Sequence, residues 1–422
     1  MTPTRHWIFA VAVAIAIGLC ASNAWAASVY KRGATLVEFF NFPATVGEGS
    51  NKTYADPPYP KAQQALARLK FDDMRRIGFD HMRVPINLGP LMQGDARLRA
   101  GIIAQLVSVI TELHRHDLGV LVTLYPPSLQ RELPETYLDS LEGPKFKLYF
   151  AMVERIAKAL GEVRSGLVAL EPMNEPQDKC RATSGLDWTA YQEFMVGRIR
   201  SFAPQLYLFL TGGCWSNIEG IVILEGDLLR DRRNFVSAHF YYPFLFTHQT
   251  ATWTMPYLTG TVGVPYPAST GNELATLAMT RHRFKSISLS STVDHVTAPL
   301  KAEREIHRYF LENQGPAQVE GWMKRVAGWQ KRQRIDSDRI VFTEFGAMKQ
   351  LINGVEFDKA SRVRWLHDAS STIEKHGWGW TVYVLKDDPL GLYERKDDRY
   401  PDPALLRALR LNVPKDDRRS AR

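Results

Sequence analysis

Cysteine is scarce, with three residues in a chain of 422. A disulfide-stapled scaffold is excluded, because such folds replace a core with several cross-links. Apart from the N-terminal segment, no apolar run approaches the ~18 residues that a membrane-spanning helix needs. No HExxH, CxxC or Asp-rich loop is present, so no catalytic metal is implied. No GxGxxG follows the first β-rich run, which argues against dinucleotide binding. Repeats and low-complexity linkers are also missing. The chain does have apolar mass: 45% hydrophobic residues, including 10 Trp and 20 Phe, against 23% charged. That composition can bury a large core and excludes global disorder. The formal net charge of +8 suggests an anionic partner, although no nucleic-acid motif accompanies it.

The first 26 residues read as a secretory signal rather than as fold. Arg5 precedes an apolar stretch, Ile8 to Cys20, and Ala24-Trp25-Ala26 fits a small-x-small cleavage site. An uncleaved membrane anchor is the alternative. Cleavage after Ala26 would leave 396 residues, a net charge of +7 and two cysteines, Cys180 and Cys214. A secreted or periplasmic location is expected.

Eight short β-rich runs follow: Thr35–Phe40, His81–Val84, Val120–Leu124, Leu167–Leu170, Tyr207–Leu210, Phe235–His239, Ile340–Thr343 and Trp380–Leu385. Helical periodicity separates them at Ala62–Ile77, Leu98–His116, Lys145–Leu160, Trp188–Phe202 and Phe357–His376. A last short helix, Ala404–Leu411, follows Pro403. Near-continuous apolar strands alternating with helices imply a parallel sheet covered on its faces. Eight such units predict one (β/α)₈ TIM barrel over residues 27–412 rather than an open sheet. Most strand intervals run about 30–50 residues, near the size of one βα unit. From the sixth to the seventh, the interval is roughly twice that or more. An insertion at about 243–335 is therefore expected, in a loop of the kind that shapes a barrel's catalytic mouth.

The chemistry concentrates at two strand ends. Leu167–Leu170 runs into Glu171-Pro172-Met173-Asn174-Glu175-Pro176. Ile340–Thr343 runs into Glu344-Phe345-Gly346. In a barrel both glutamates would stand at the C-terminal rim, where catalytic groups gather. A protonated acid and an ionised nucleophile, roughly 5–5.5 Å apart, are what retaining glycoside hydrolysis requires.

With these motifs the chain resembles glycoside hydrolase family 5, the cellulase family, in the retaining clan of (β/α)₈ glycosidases. The resemblance runs the length of the mature chain and is weakest through the insertion. It implies that Glu175 is the acid/base, Glu344 the nucleophile and Asn174 a ligand of the sugar 2-hydroxyl. Asp80-His81-Met82-Arg83-Val84-Pro85 resembles the family's second strand, which implies that Arg83 orients and charge-stabilises the nucleophile. His239-Phe240-Tyr241 resembles its sixth strand. There the Tyr241 hydroxyl would bond the nucleophile and His239 would line the subsite of the attacked sugar. Gly33, after Lys31-Arg32, resembles the opening strand loosely. Two positions depart. Tyr125 stands where the third strand usually offers histidine. Tyr383 stands where the eighth usually offers tryptophan, with Trp380 three residues earlier. Both read as altered sugar contacts, which leaves the exact substrate open.

Plainer readings compete at several residues. Glu171 reads as an interior barrel glutamate held by hydrogen bonds. Asp387-Asp388 reads as a solvated turn, and His114 with His116 as a helix end suited to cations. Trp215, just past the fifth strand, reads as a sugar platform. Trp253, Tyr257, Phe244 and Tyr266, the aromatics of the insertion, fit platform or packing equally, and Trp188 is a further aromatic to place. Cys180 and Cys214 would sit on neighbouring rim loops, where an oxidising compartment permits a disulfide.

The expected function is therefore retaining hydrolysis of a β-glycosidic bond in a polysaccharide, most of all endo-β-1,4-glucanase action. β-1,3-Glucanase, mannanase and transglycosylase remain alternatives on the same glutamates, and a carbohydrate-binding pseudoenzyme is the alternative of another class. No cofactor is implied. The charge settles in two places. Residues 281–339 hold 12 Lys+Arg against 7 Asp+Glu, and the tail 413–422 holds 4 against 2. Those surpluses equal the whole mature +7, so the barrel itself is neutral. An anionic glycan or cell surface is the expected basic-patch partner, not nucleic acid. The oligomeric state stays open.

Overall fold

The alternating strands and helices close into a barrel in the computed structural model of the chain. It describes residues 29–127, 129, 134–163, 167–177, 188–352, 355–386, 389–395 and 398–414. The expected signal segment therefore lies outside the described residues, as do Cys180, Asp387 and Asp388. The barrel strands are β1 (Arg32–Thr35), β2 (His81–Asn87), β3 (Gly119–Tyr125), β4 (Val168–Glu171), β5 (Tyr207–Thr211), β6 (Asn234–Phe240), β7 (Ile340–Phe345) and β8 (Gly379–Val382). All neighbours pair in parallel, and β1 closes the ring between β8 and β2. The longer helices are α1 (Ala62–Arg68), α2 (Phe71–Ile77), α3 (Ala96–Arg115), α4 (Pro144–Gly161), α5 (Trp188–Phe202), α6 (Glu273–Phe284), α7 (Thr292–Leu311), α8 (Pro316–Gln333), α9 (Lys359–Lys375) and α10 (Pro403–Ala408). No described helix is long and apolar enough to cross a membrane.

Each barrel helix follows its apolar spacing. On α3, Ile102, Leu106, Val109, Ile110 and Leu113 form one buried stripe. Each such side chain contributes about 1.5–3 kcal/mol of burial. Asp95 caps the start by accepting from the Leu98 amide at 2.7 Å. Several boundaries differ from the sequence expectation. The first strand is Arg32–Thr35, and the mostly apolar run after it, from Leu36 to Phe40, is a rim segment that meets β2 where the Leu36 amide donates to the Arg83 carbonyl at 2.8 Å and at a Phe40–Ile86 bridge. The eighth strand ends at Val382. The helix expected over 62–77 is two helices, because Leu69 is extended (φ −76°, ψ 130°) and breaks the turn.

Side chains pointing into the barrel stack in three layers. The bottom is an aromatic plug that includes Tyr30, Tyr207, Phe209 and Phe235. The Tyr30 hydroxyl donates to the carbonyls of Val120 and Leu167. His81 sits beside this plug with Asp80 at 2.6 Å and Thr381 at 2.7 Å. Gly33 lies opposite His81 on the neighbouring strand, where any Cβ would come within 2.2 Å of the imidazole. The middle layer is polar and wholly buried: Arg83, Thr123, Glu171, Ser237 and Thr343. The top layer is the mouth.

Between β6 and β7 the chain adds substantial material. Helix α8 packs against α9 and the short helix Ile218–Ile221, as a barrel helix does. The extra part is therefore Phe244–Leu311, in which α7 packs on α6 and on the short helix Pro256–Gly260. It is tied to the barrel where the Tyr266 amide donates to Ser361 Oγ on α9 at 2.8 Å.

Candidate active site

Period-two alternation places most of the mouth. On β6, Phe235, Ser237 and His239 point inward at successive layers, and Tyr241 follows just past the strand. On β3, Leu121, Thr123 and Tyr125 do the same. Glu344 breaks the pattern. Two residues of β7 face one step of β6 between Ala238 and His239, and the β8 register shifts at the same level. This β-bulge inserts one residue into β7. Thr343 and Glu344 therefore both point inward, while Phe345 packs outward against Trp365 and Trp380. Without the bulge the carboxylate would face the helices.

Glu344 is held by three donors. Its Oε1 accepts from Arg83 Nη1 at 2.5 Å and from the Tyr125 hydroxyl at 2.7 Å. Its Oε2 accepts from the Tyr241 hydroxyl at 2.8 Å. Arg83 is wholly buried, and its Nη2 also donates to Asn174 Oδ1 at 2.7 Å. Burial pushes the Glu344 carboxyl up. The charges of His239 and Arg83 and the two tyrosine bonds outweigh it and hold the group down at about 2.

Glu175 stands on the loop after β4 with φ 45°, a left-handed conformation that glutamate rarely adopts. Two backbone bonds fix that loop. The Asn174 amide donates to the Leu124 carbonyl at 2.8 Å, and the Trp215 amide to the Pro176 carbonyl at 3.1 Å. Glu175 Oε1 lies 2.8 Å from His239 Nδ1. Burial, joined by repulsion from Glu344, raises its carboxyl above the usual range against the opposing pull of His239. His239 in turn is pushed down by burial but held up by Glu344 and Glu175. One oxygen of each glutamate and a His239 nitrogen lie within 4.8 Å of one another. Such a trio has the atoms to ligate a cation. Here, however, Arg83 and two hydroxyls already occupy the Glu344 oxygens.

The mouth thus brings together Arg83, Asn174, Glu175, Tyr125, His239, Tyr241 and Glu344, all expected there. Tyr383 and Tyr241 both pack on the small cluster of Ala251, Met348 and Leu390. Tyr125 has a sharper place than a sugar contact, since it bonds Glu344 directly. Replacing it with Phe removes one hydrogen bond to a charged group, worth about 1.5–3 kcal/mol. Tyr125→Phe is expected to lower kcat/KM roughly 10–100-fold. It should also move the acid limb of the pH profile upward, because the lost bond lowers the Glu344 value. An unmoved acid limb would detach Tyr125 from Glu344.

Trp380 is a correction. It is fully buried outside the barrel, and its indole donates to Glu374 Oε1 on α9 at 2.8 Å. It lies three positions from Tyr383, and strand residues an odd number apart face opposite sides. Glu171 is the interior glutamate expected. Trp188, Tyr257 and Tyr266 are buried, and Trp188 donates to the Thr211 carbonyl, so these three pack. Trp253 is exposed, and Phe244 stacks on His248 at 4.0 Å. His116 closes α3 against Asp72 and Glu112. Cys214 is disulfide-bonded.

Trp215 is 48% exposed on a run of three left-handed residues, Cys214 to Ser216, with φ of 55–57°. The Ser216 carbonyl accepts the His239 amide at 2.7 Å, so this loop is fastened to the mouth. His248 was not singled out from sequence. It is buried beneath Tyr241, with its value driven down to about 3 by burial, and keeps that ring in place as a neutral edge contact at 4.9 Å. Only its place shortly after His-Phe-Tyr could have signalled it.

A parallel eightfold barrel with two glutamates facing each other at the C-terminal ends of β4 and β7 is the framework of the barrel glycoside hydrolases. The profile Cellulase (glycosyl hydrolase family 5) matches residues 58–389, and the chain belongs to that family. Cellodextrinase A of Ruminococcus flavefaciens is 26% identical over 199 residues, which are 46% of this chain and 57% of that protein. The match thus spans little more than half of that relative. A hyperthermophilic endo-β-1,4-glucanase solved with substrate superposes with a TM-score of 0.62 at 20% identity, over 92% of this chain and 99% of that one. Thermotoga maritima Cel5A with mannotriose does so at 0.60 and 17% identity, over 91% and 98%. At such identities these likenesses speak for the fold alone.

Proposed function

We propose that the protein hydrolyses β-glycosidic bonds of a polysaccharide, β-1,4-glucan first, through a covalent glycosyl-enzyme. The observation that carries this reading is a close carboxylate pair with opposed proton affinities. An oxygen of each glutamate lies within 4.8 Å of the other, which favours the roughly 5–5.5 Å carboxyl spacing of retention over the about 6.5–9.5 Å of inversion. Glu344, ionised, attacks the anomeric carbon. The glycosidic bond breaks, and its electron pair leaves with the departing oxygen, which takes the Glu175 proton. Water then attacks the same carbon, gives a proton to Glu175 and expels Glu344 with its pair. Asn174 and His239 Nε2, the latter without a hydrogen-bond partner among the described residues, are the groups offered to sugar hydroxyls.

Two measurements test this. Reducing-sugar release is compared on carboxymethyl-cellulose, mixed-linkage glucan, laminarin and mannan, with the first two expected to lead. NMR of the first product formed should show the β-anomer. An initial α-anomer would refute retention, and release confined to mannan or laminarin would refute the substrate.

Trp215 is proposed as a sugar platform. Trp215→Ala is expected to raise KM for cello-oligosaccharides roughly 3–10-fold, from about 0.5–1.5 kcal/mol of ring contact, with kcat nearly kept. An unchanged KM removes the platform. Export is proposed from the signal-like first 26 residues, and the N-terminal sequence of the exported protein checks it. Contact with anionic glycans is proposed through Lys324, Arg325, Lys331 and Arg332 of α8. Binding to such a glycan that does not weaken with salt would oppose it.

A further inference from the structure

Arg83 faces two carboxylates, and the chemistry above uses only Glu344. The other is Glu171, one layer deeper. Arg83 Nη2 reaches Glu171 Oε2 at 3.2 Å. Arg83 Nε donates to Thr123 Oγ1 at 3.0 Å, and that hydroxyl donates to the same Oε2 at 2.7 Å. Ser237 Oγ donates to Glu171 Oε1 at 2.7 Å. Both charged side chains are 0% exposed. Glu171 therefore accepts three hydrogen bonds and meets neither solvent nor substrate.

We infer that Glu171 is the permanent counter-ion of Arg83, a positioning residue that compensates the guanidinium while Glu344 is esterified. The inference rests on the double-displacement reading. In the free enzyme Arg83 lies between two negative charges. When Glu344 bonds to the anomeric carbon, its oxygen loses that charge. Without Glu171, Arg83 would then be a lone cation sealed from water, beneath a sugar whose ring is gaining positive charge. A buried charge stripped of its partner is among the costliest arrangements in a protein. Asn174 Oδ1, which accepts from the same Nη2 as Glu171, offers only a dipole. The counter-ion thus acts on formation of the glycosyl-enzyme more than on its breakdown, since breakdown restores the Arg83–Glu344 pair.

The test is trapping with an activated 2-deoxy-2-fluoro-β-cellobioside, followed by intact mass. Wild type should gain one glycosyl adduct on Glu344. Glu171→Gln should form it about 100-fold more slowly. Its affinity for a slowly cut cello-oligosaccharide should stay close to wild type, a split that a merely structural role would not give. Adduct formation by Glu171→Gln at the wild-type rate overturns the inference. A wild type that forms no adduct refutes the covalent reading instead. Should Glu171→Gln fail to fold, Glu171→Asp decides. It keeps the charge but draws it back from Arg83, so adduct formation should slow while breakdown holds. Equal slowing of both steps overturns the inference.

Discussion

Glu344→Gln is expected to lose about 10⁴-fold or more in kcat/KM on β-glucan, roughly 5.4 kcal/mol at 1.36 per decade. Glutamine fills the same space but cannot form the ester bond. It also cannot balance the positive charge that builds on the sugar. The fold should not suffer, because Arg83 keeps Glu171 as a partner at 3.2 Å. Near-wild-type thermal unfolding alongside lost turnover is the expected pair of results. Glu344→Ala adds a sharper check. Azide can enter the space left by the side chain and attack an activated aryl β-glycoside from that face. The product should be the α-glycosyl azide. Turnover of Glu344→Gln near the wild-type rate, or no azide adduct from Glu344→Ala, would remove Glu344 from the role of nucleophile.

The barrel was legible in the sequence because its signal is redundant. Eight apolar runs separated by amphipathic helices leave few alternatives, and Arg83 inside β2, Asn174-Glu175 after β4 and His239-Phe-Tyr241 at the end of β6 follow in the right order. The orientation of Glu344 was not legible from strand periodicity. Thr343 and Glu344 are adjacent, so strict alternation permits only one of them inside. The bulge that admits both appears only in the pairing of β7 with β6 and β8. The family motif pointed to Glu344 without giving the reason that it faces inward. Trp380 fails in the opposite way. It matched by residue type, yet the parity of its distance from Tyr383 already excluded it from the mouth. Tyr125 was placed at the correct strand end, but its bond to Glu344 depends on a neighbour more than 200 positions away, which no local pattern encodes.

Glu175 carries the second large effect, and its signature is selectivity rather than size. Removing a general acid costs about 10²–10⁴-fold where the leaving oxygen needs a proton. Glu175→Ala should fall in that range on cello-oligosaccharides. A 2,4-dinitrophenyl β-cellobioside leaves without protonation, so its first step should be nearly spared and a burst of dinitrophenol should appear. The pH profile follows from the two directions. Activity requires Glu344 ionised, so it rises as pH climbs through the Glu344 value near 2. It also requires Glu175 protonated, so it declines as pH passes the raised Glu175 value. His239, 2.8 Å away, titrates upward as well and is the other group able to set the alkaline limb. In Glu175→Ala, the alkaline limb for the activated substrate should flatten. If it persists unchanged, the limb belongs to His239, and Glu175 is not the acid whose proton the leaving oxygen takes.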